Sequence, residues 1–125
     1  MSRFLTFVLC LSGIVHVLPL AGVLGTTKLQ ALYGVTIDDA NLVVLMRHRA
    51  LLFGLIGSFA IFAAFREPLQ LSALIISTVS VAGFILIALP ATGLNAPMLR
   101  VFRIDIALLL LLVPALILCV LQRRH

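Results

Sequence analysis

Ionisable side chains set near the ends of apolar runs are the residues of this sequence best placed to do chemistry. Arg47, His48 and Arg49 lie inside one run, His16 lies inside another, and Arg103 and Asp105 open a third. A charge held at membrane depth is costly, so such groups are paired, hydrated or functional. Several guanidinium groups beside a single carboxylate have two uses. They form a buried ion pair that ties helices together, or their excess positive charge receives a phosphate or carboxylate. A histidine at the same depth adds a group able to give or take a proton. No nucleophile–base pair accompanies them, which argues against covalent catalysis. His16, His48 and His125 are isolated and lack ligand spacing, so neither a metal nor a cofactor is expected.

The elements that must position these groups are apolar helices. The chain is 63% hydrophobic and only 10% charged, against roughly one-quarter charged in soluble domains. Four apolar stretches, Phe4 to Leu24, Leu42 to Phe65, Leu69 to Leu89 and Val101 to Leu121, can be drawn. Each approaches the roughly 20 residues needed to cross a hydrocarbon core. None shows the two-residue alternation of a barrel strand. The expectation is an all-α integral membrane four-helix bundle, one domain over residues 1–125, with helices about 4–24, 40–65, 69–89 and 97–122. The first run reads as a retained helix rather than a signal peptide. It is long for such a core, it contains His16 and Pro19, and no small-residue cleavage site follows. Cys10 and Cys119 lie in membrane runs without a CxxC pair, so they read as packing residues.

Local signals refine the ends. Thr26 and Thr27 are candidate caps for a short interfacial helix, Lys28 to Tyr33, between the first and second spans. Gly34 would end it, and Tyr33 would sit at headgroup level. Asp38 or Asp39 supplies the next N-cap, Pro68 suits the first turn of the third span, and Asn95 followed by Pro97 opens the fourth. Pro114 predicts a kink.

Helical phase sorts the charges. Arg47 shares a face with Ala50, Gly54, Gly57 and Ser58, a small-residue pattern that lets helices approach closely. Arg47 therefore points towards a neighbouring helix, with Asp105 as its natural partner and Arg103 or Arg49 as the alternative cations for that carboxylate. Arg49 projects about 200° from Arg47, so it and His48 are assigned to headgroups. His16 shares its face with Ser12 and Gly13, and in the third span Ala73, Ser77 and Ser80 share another.

The net charge of +5 does not point to nucleic acid, because the cations are scattered along helix ends where they anchor to lipid phosphates. The partners expected are membrane lipids and a second copy or another membrane protein. Four spans put both ends of the chain on one side, with Arg3, Arg66, Arg123 and Arg124. The other side carries Lys28, Arg47, Arg49, Arg100 and Arg103. If Arg47, Arg49 and Arg103 are embedded, the positive-inside rule favours cytoplasmic termini. The near balance also fits a dual topology.

The stretch Leu45-Met46-Arg47-His48-Arg49-Ala50-Leu51-Leu52-Phe53-Gly54-Leu55-Ile56-Gly57, with Leu32-Tyr33-Gly34-Val35, carries a resemblance. Over its whole length the chain resembles a family of small four-helix bacterial integral membrane proteins of unknown function. Members often bear the label phosphopantetheine adenylyltransferase. That soluble enzyme has a His-x-Gly-His motif on an α/β fold, which nothing here matches, so the label reads as a naming error. The resemblance implies a bacterial inner-membrane location and brings no catalytic residues with it.

Three functions are consistent with this reading. The first is a non-enzymatic binding or transport component that holds an anion, lipid headgroup or partner at the Arg47/Asp105 level. The second is an assembly or regulatory protein acting through the Ala50, Gly54 and Ser58 stripe. The third is a lipid-modifying enzyme with His16 or His48 as proton-transfer group.

Overall fold

The computed structural model describes residues 1–124 and is all-helical over them; His125 lies outside the described residues. Helix α1 spans Arg3–Val17 and continues as a 3₁₀ segment, Leu18–Leu24. Then come α2 (Thr26–Tyr33), α3 (Ala40–Ala64), α4 (Glu67–Ala88) and α5 (Ala96–Gln122). Four segments are long and apolar enough to cross a membrane: Arg3–Leu24, α3, α4 and α5. Their outward faces carry large side chains that nothing in the chain covers, such as Ile87 at 78% and Leu110 at 70% exposure. Such a belt is stable against acyl chains and not against water. This is a multi-pass membrane protein.

The first span departs from the expected continuous α-helix. Pro19 lacks the N–H that would bond to Val15, and its ring crowds that carbonyl. The chain answers by tightening to 3₁₀ from Leu18 to Leu24. The α2 caps also differ from expectation. Gly25, at φ 133°, is the N-cap without a side-chain bond, and Thr26 and Thr27 lie inside the helix. Gly34 ends α2 in the left-handed region at φ 65°, and a Cβ there would come within 3.0 Å of Pro97 Cγ. Both the conformation and the close approach require glycine. The remaining caps follow the local chemistry. Asp39 accepts from the N–H groups of Asn41 and Leu42, Asn95 accepts from Met98 N–H, and Pro68 and Pro97 sit in first turns. Helix α5 runs without interruption through Pro114.

Helix α1 packs chiefly on α3, and α4 on α5. Thr6 donates to the Ala64 carbonyl, Gly13 meets Gly57, and Gly22 lies against Ala50, so α1 and α3 run antiparallel. The crossing is backbone on backbone. A Cβ at Gly13 would lie 2.7 Å from the Gly57 carbonyl oxygen, and one at Gly57 2.6 Å from that of Gly13. Ala50, Gly54 and Gly57 are thus occupied by the chain's own first span, with Leu20 filling the space over Gly54. Ser58, grouped with them on phase, is exposed, because the contact follows Gly57, Ala60 and Ala64 instead. The α3–α4 turn is held by Thr6 and Gln70, which both donate to the Ala64 carbonyl, and by Arg123, which donates to the carbonyls of Glu67 and Pro68. Leu5, Leu9, Leu74 and Leu112 fill the core between the four spans, with Cys119 buried beside them.

Two measurements check this packing. Gly57→Ala should lower stability by about 1–3 kcal/mol, since the added methyl overpacks a backbone contact. Gly83→Ala, where a Cβ would meet nothing within 4 Å, should be neutral or mildly stabilising in the same detergent unfolding titration. The Asp39 cap is pH-dependent. The Leu42 and Asn41 N–H bonds hold its carboxylate below the usual range. A group with a depressed folded pKa stabilises fully above its unfolded value and loses that contribution as pH falls through the folded one. Protection of the Asn41 and Leu42 amides, relative to their intrinsic exchange rates, should therefore fall below about pH 4, and Asp39→Asn should remove that dependence.

Candidate functional site

All the helical segments contribute to one cavity of about 310 Å³. Its polar wall is His16 from α1, Tyr33 from α2, Arg49 from α3, Ser80 from α4, and Arg100 and Asp105 from α5. Leu18, Phe53, Phe84 and Ile104 are among the apolar side chains that complete it. The geometry follows from the α1–α3 crossing. Once Gly13 sits on Gly57, His16 lies one turn further along α1, its ring centroid 5.8 Å from that of Phe53.

Arg49 stands at the centre of this wall. It is half-buried, and its Nη1 donates to the Tyr33 hydroxyl at 2.9 Å. Its Cζ lies 4.6 Å from the Phe53 ring centroid and 5.4 Å from that of Tyr33. The two rings supply cation–π attraction where water is scarce. A guanidinium has five N–H groups, and Arg49 spends a single hydrogen bond on the protein among the described residues. Asp105, also half-buried, lines the same cavity, and no ion pair within 4 Å joins it to Arg49 among the described residues.

His16 is buried and fully engaged. Its Nδ1 lies 2.8 Å from the Ser12 carbonyl oxygen, which can only accept, so Nδ1 carries a proton. The Nε2, 3.1 Å from Ser80 Oγ, accepts the serine proton in the neutral ring. Ser77, one turn from Ser80 and fully buried, has a hydroxyl without a partner among the described residues, as does Thr78.

The placement of the sequence-derived residues is mixed. His16, Arg49 and Asp105 are brought together. Arg47 does point at a neighbouring helix, but its partner is not Asp105. Its Nε donates at 2.7 Å to the Val23 carbonyl, where the first span ends and carbonyls lack helical partners. Arg49, assigned to headgroups on phase, instead lines the cavity, because α2 folds back to cover its face. Tyr33, assigned to the headgroup level, is 6% exposed, packed with Leu29 and Ile37 and aimed at Arg49. His48 and Arg103 are exposed and do not line the cavity. Among the described residues, no group of His, Cys, Asp and Glu could hold a metal.

Sequence reasoning missed Phe53, Phe84 and Arg100 as site residues. The i,i+4 spacing of Arg49 and Phe53 was a legible signal for the first of these. Asn95 was found as a cap, but its Nδ2 also donates to the Tyr33 and Gly34 carbonyls at 2.9 and 3.2 Å, clipping α2 to α5. Arg49 and Tyr33 also border a second recess of about 440 Å³, beside Met46, Asn95 and Met98.

The ¹⁵N resonances of His16 test the hydrogen bonding directly. Nδ1 should appear protonated and Nε2 bare, and Ser80→Ala should shift Nε2 alone while lowering stability by about 1 kcal/mol. A protonated Nε2 at neutral pH would refute the assignment.

No protein-family model, curated protein or solved structure matches this chain.

Proposed function

We propose that this chain is a non-enzymatic binding component of the bacterial inner membrane, possessing a cationic cavity that holds an anionic group from a lipid or other membrane-borne compound. One observation carries the reading. A half-buried guanidinium, fixed by Tyr33 and Phe53, keeps most of its donors free beside a cavity that also holds Arg100. Oriented, partly desolvated donors of this kind bind carboxylate, sulfonate or phosphate oxygens strongly. The cavity volume falls at the lower end of the roughly 300–1,000 Å³ of ligand pockets. A transport role is the natural extension, since the site is built from every segment of the bundle.

The inner-membrane location rests on the resemblance to small bacterial four-helix membrane proteins. The orientation rests on charge. Arg3, Arg66, Arg123 and Arg124 gather at the end carrying the termini, and Lys28, Arg47, Arg49, Arg100 and Arg103 at the other. With Arg123 engaged by carbonyls at one end and Arg47 and Arg49 engaged at the other, the remaining cations balance, which under the positive-inside rule fits a dual topology as well as cytoplasmic termini. Assembly through the small-residue stripe is less well supported, because Ala50 and Gly54 are covered by the chain's own first span.

Octanesulfonate binding to the protein in lipid nanodiscs, corrected with empty nanodiscs, tests the site. Arg49→Ala should weaken binding at least about tenfold, the loss expected for a charge-assisted hydrogen bond of roughly 1.5–3 kcal/mol. Arg47→Ala, outside the cavity, should leave it unchanged. Equal losses in the two variants would overturn the assignment.

A further inference from the structure

We propose that the cavity takes up a single-chain amphiphilic anion together with one proton, and that Asp105 carries the proton. The proposal rests on the anion-binding reading above and names its ligand class and coupling.

The ligand class follows from the lining. Half-buried Arg49 and exposed Arg100 at the rim offer the positive charge, while Leu18, Phe53, Phe84 and Ile104 form apolar wall. A free inorganic anion has no use for that wall, and a cavity of about 310 Å³ suits one short chain better than a diacyl lipid. A carboxylate, sulfonate or phosphate head on a single apolar tail satisfies both surfaces.

The coupling follows from charge. In the empty cavity, ionised Asp105 offsets one of the two guanidinium charges and leaves a net charge of one. A bound monoanion would bring a second negative charge next to Asp105 in a medium of low dielectric, where like charges repel strongly. Transfer of a proton to the carboxylate removes that repulsion. The site then holds two guanidinium groups, one anion and a neutral acid, and its net charge is unchanged by loading.

The other groups facing Asp105 leave the proton no better home. On α1, His16 already has both ring nitrogens engaged in its neutral form, and a second ring proton would reverse the Ser80 bond and oblige the serine to turn its own proton to another acceptor. On α2, the Tyr33 hydroxyl accepts from Arg49, and on α3 and α5 the remaining groups are the arginines, which stay charged. The α4 wall offers Ser80, which is neutral. Asp105 is the one carboxylate on the cavity wall, and no ion pair among the described residues holds it ionised. An ionisable residue left in that state within a membrane span is a functional-site candidate by default, and the chemistry open to a carboxylate there is to bind and release a proton.

Linkage makes the coupling reciprocal: a proton that favours the anion is itself favoured by it. Octanesulfonate is a suitable probe because its own charge does not titrate. In nanodiscs, wild-type affinity should rise as the pH falls from about 8 to about 5, approaching tenfold per unit where one proton is taken up per anion. Proton uptake in weak buffer should accompany binding in the same ratio. Asp105→Asn should bind tightly with a flat profile, and His16→Gln should keep the wild-type slope. Methanesulfonate, lacking a tail, should bind far more weakly.

Intact octanesulfonate binding with a flat wild-type profile and no proton uptake would overturn the coupling and spare the anion site. A slope that survives in Asp105→Asn would move the proton elsewhere and overturn the assignment. Equal affinity for methanesulfonate would overturn the amphiphile class. Absence of octanesulfonate binding by wild type at every pH would overturn the anion-binding reading itself. If Asp105→Asn does not fold, wild-type proton uptake decides the coupling and Asp105→Glu, which should retain the slope, decides the residue.

Discussion

The contact between the Gly13 and Gly57 backbones is the constraint on which the rest of this molecule depends. Each glycine leaves room for the other's carbonyl oxygen, so α1 and α3 lie closer than side chains at either position would allow. In a bilayer the hydrophobic effect does not hold helices together, and dispersion at short range takes its place. The register set there is transmitted in both directions. Towards the termini it brings Thr6 to the Ala64 carbonyl, and towards the other end it brings His16 beside Phe53 and the end of the first span under Arg47. The cavity is therefore a by-product of a crossing made elsewhere, which is how a small bundle can position several polar groups without long loops.

A second constraint governs the polar groups themselves. Every buried donor or acceptor in lipid must find a partner within the protein. Most do so. Asn95 serves three backbone groups, Gln70 and Thr6 share one carbonyl, and His16 uses both ring nitrogens. Arg49 and Asp105 stand out against this economy, since both are half-buried and neither is fully satisfied by the chain. Their incomplete partnership sets this wall apart from a structural ion pair.

The element ends were legible where the signal is local. Asn95, Pro68, Pro97 and Gly34 act through atoms within a few residues of themselves, so their type and spacing were sufficient, whereas the structure chose Asp39 over Asp38 and Gly25 over Thr26 and Thr27. The 3₁₀ segment after Pro19 was legible in principle, because a missing N–H is a property of the residue alone. The site was legible only in part. Phase separated Arg47 from Arg49 but inverted which is sheltered: Arg47 is exposed, reaching the Val23 carbonyl, and Arg49 is half-buried. It could not say that the neighbour presents a carbonyl rather than Asp105, nor that α2 would return over Arg49.

What the sequence determined by itself is thus the number of spans, the caps of the second and fourth, and the burial of Ala50, Gly54 and Gly57. All of these depend on periodicity, length and the chemistry of single residues. What tertiary structure alone decided is which arginine meets which partner. Helical phase gives a direction around one axis, whereas a contact requires a second chain segment in that direction at the same height. Here the glycine crossing sets that height, and Asn95, by clipping α2 to α5, sets which segment lies opposite Arg49.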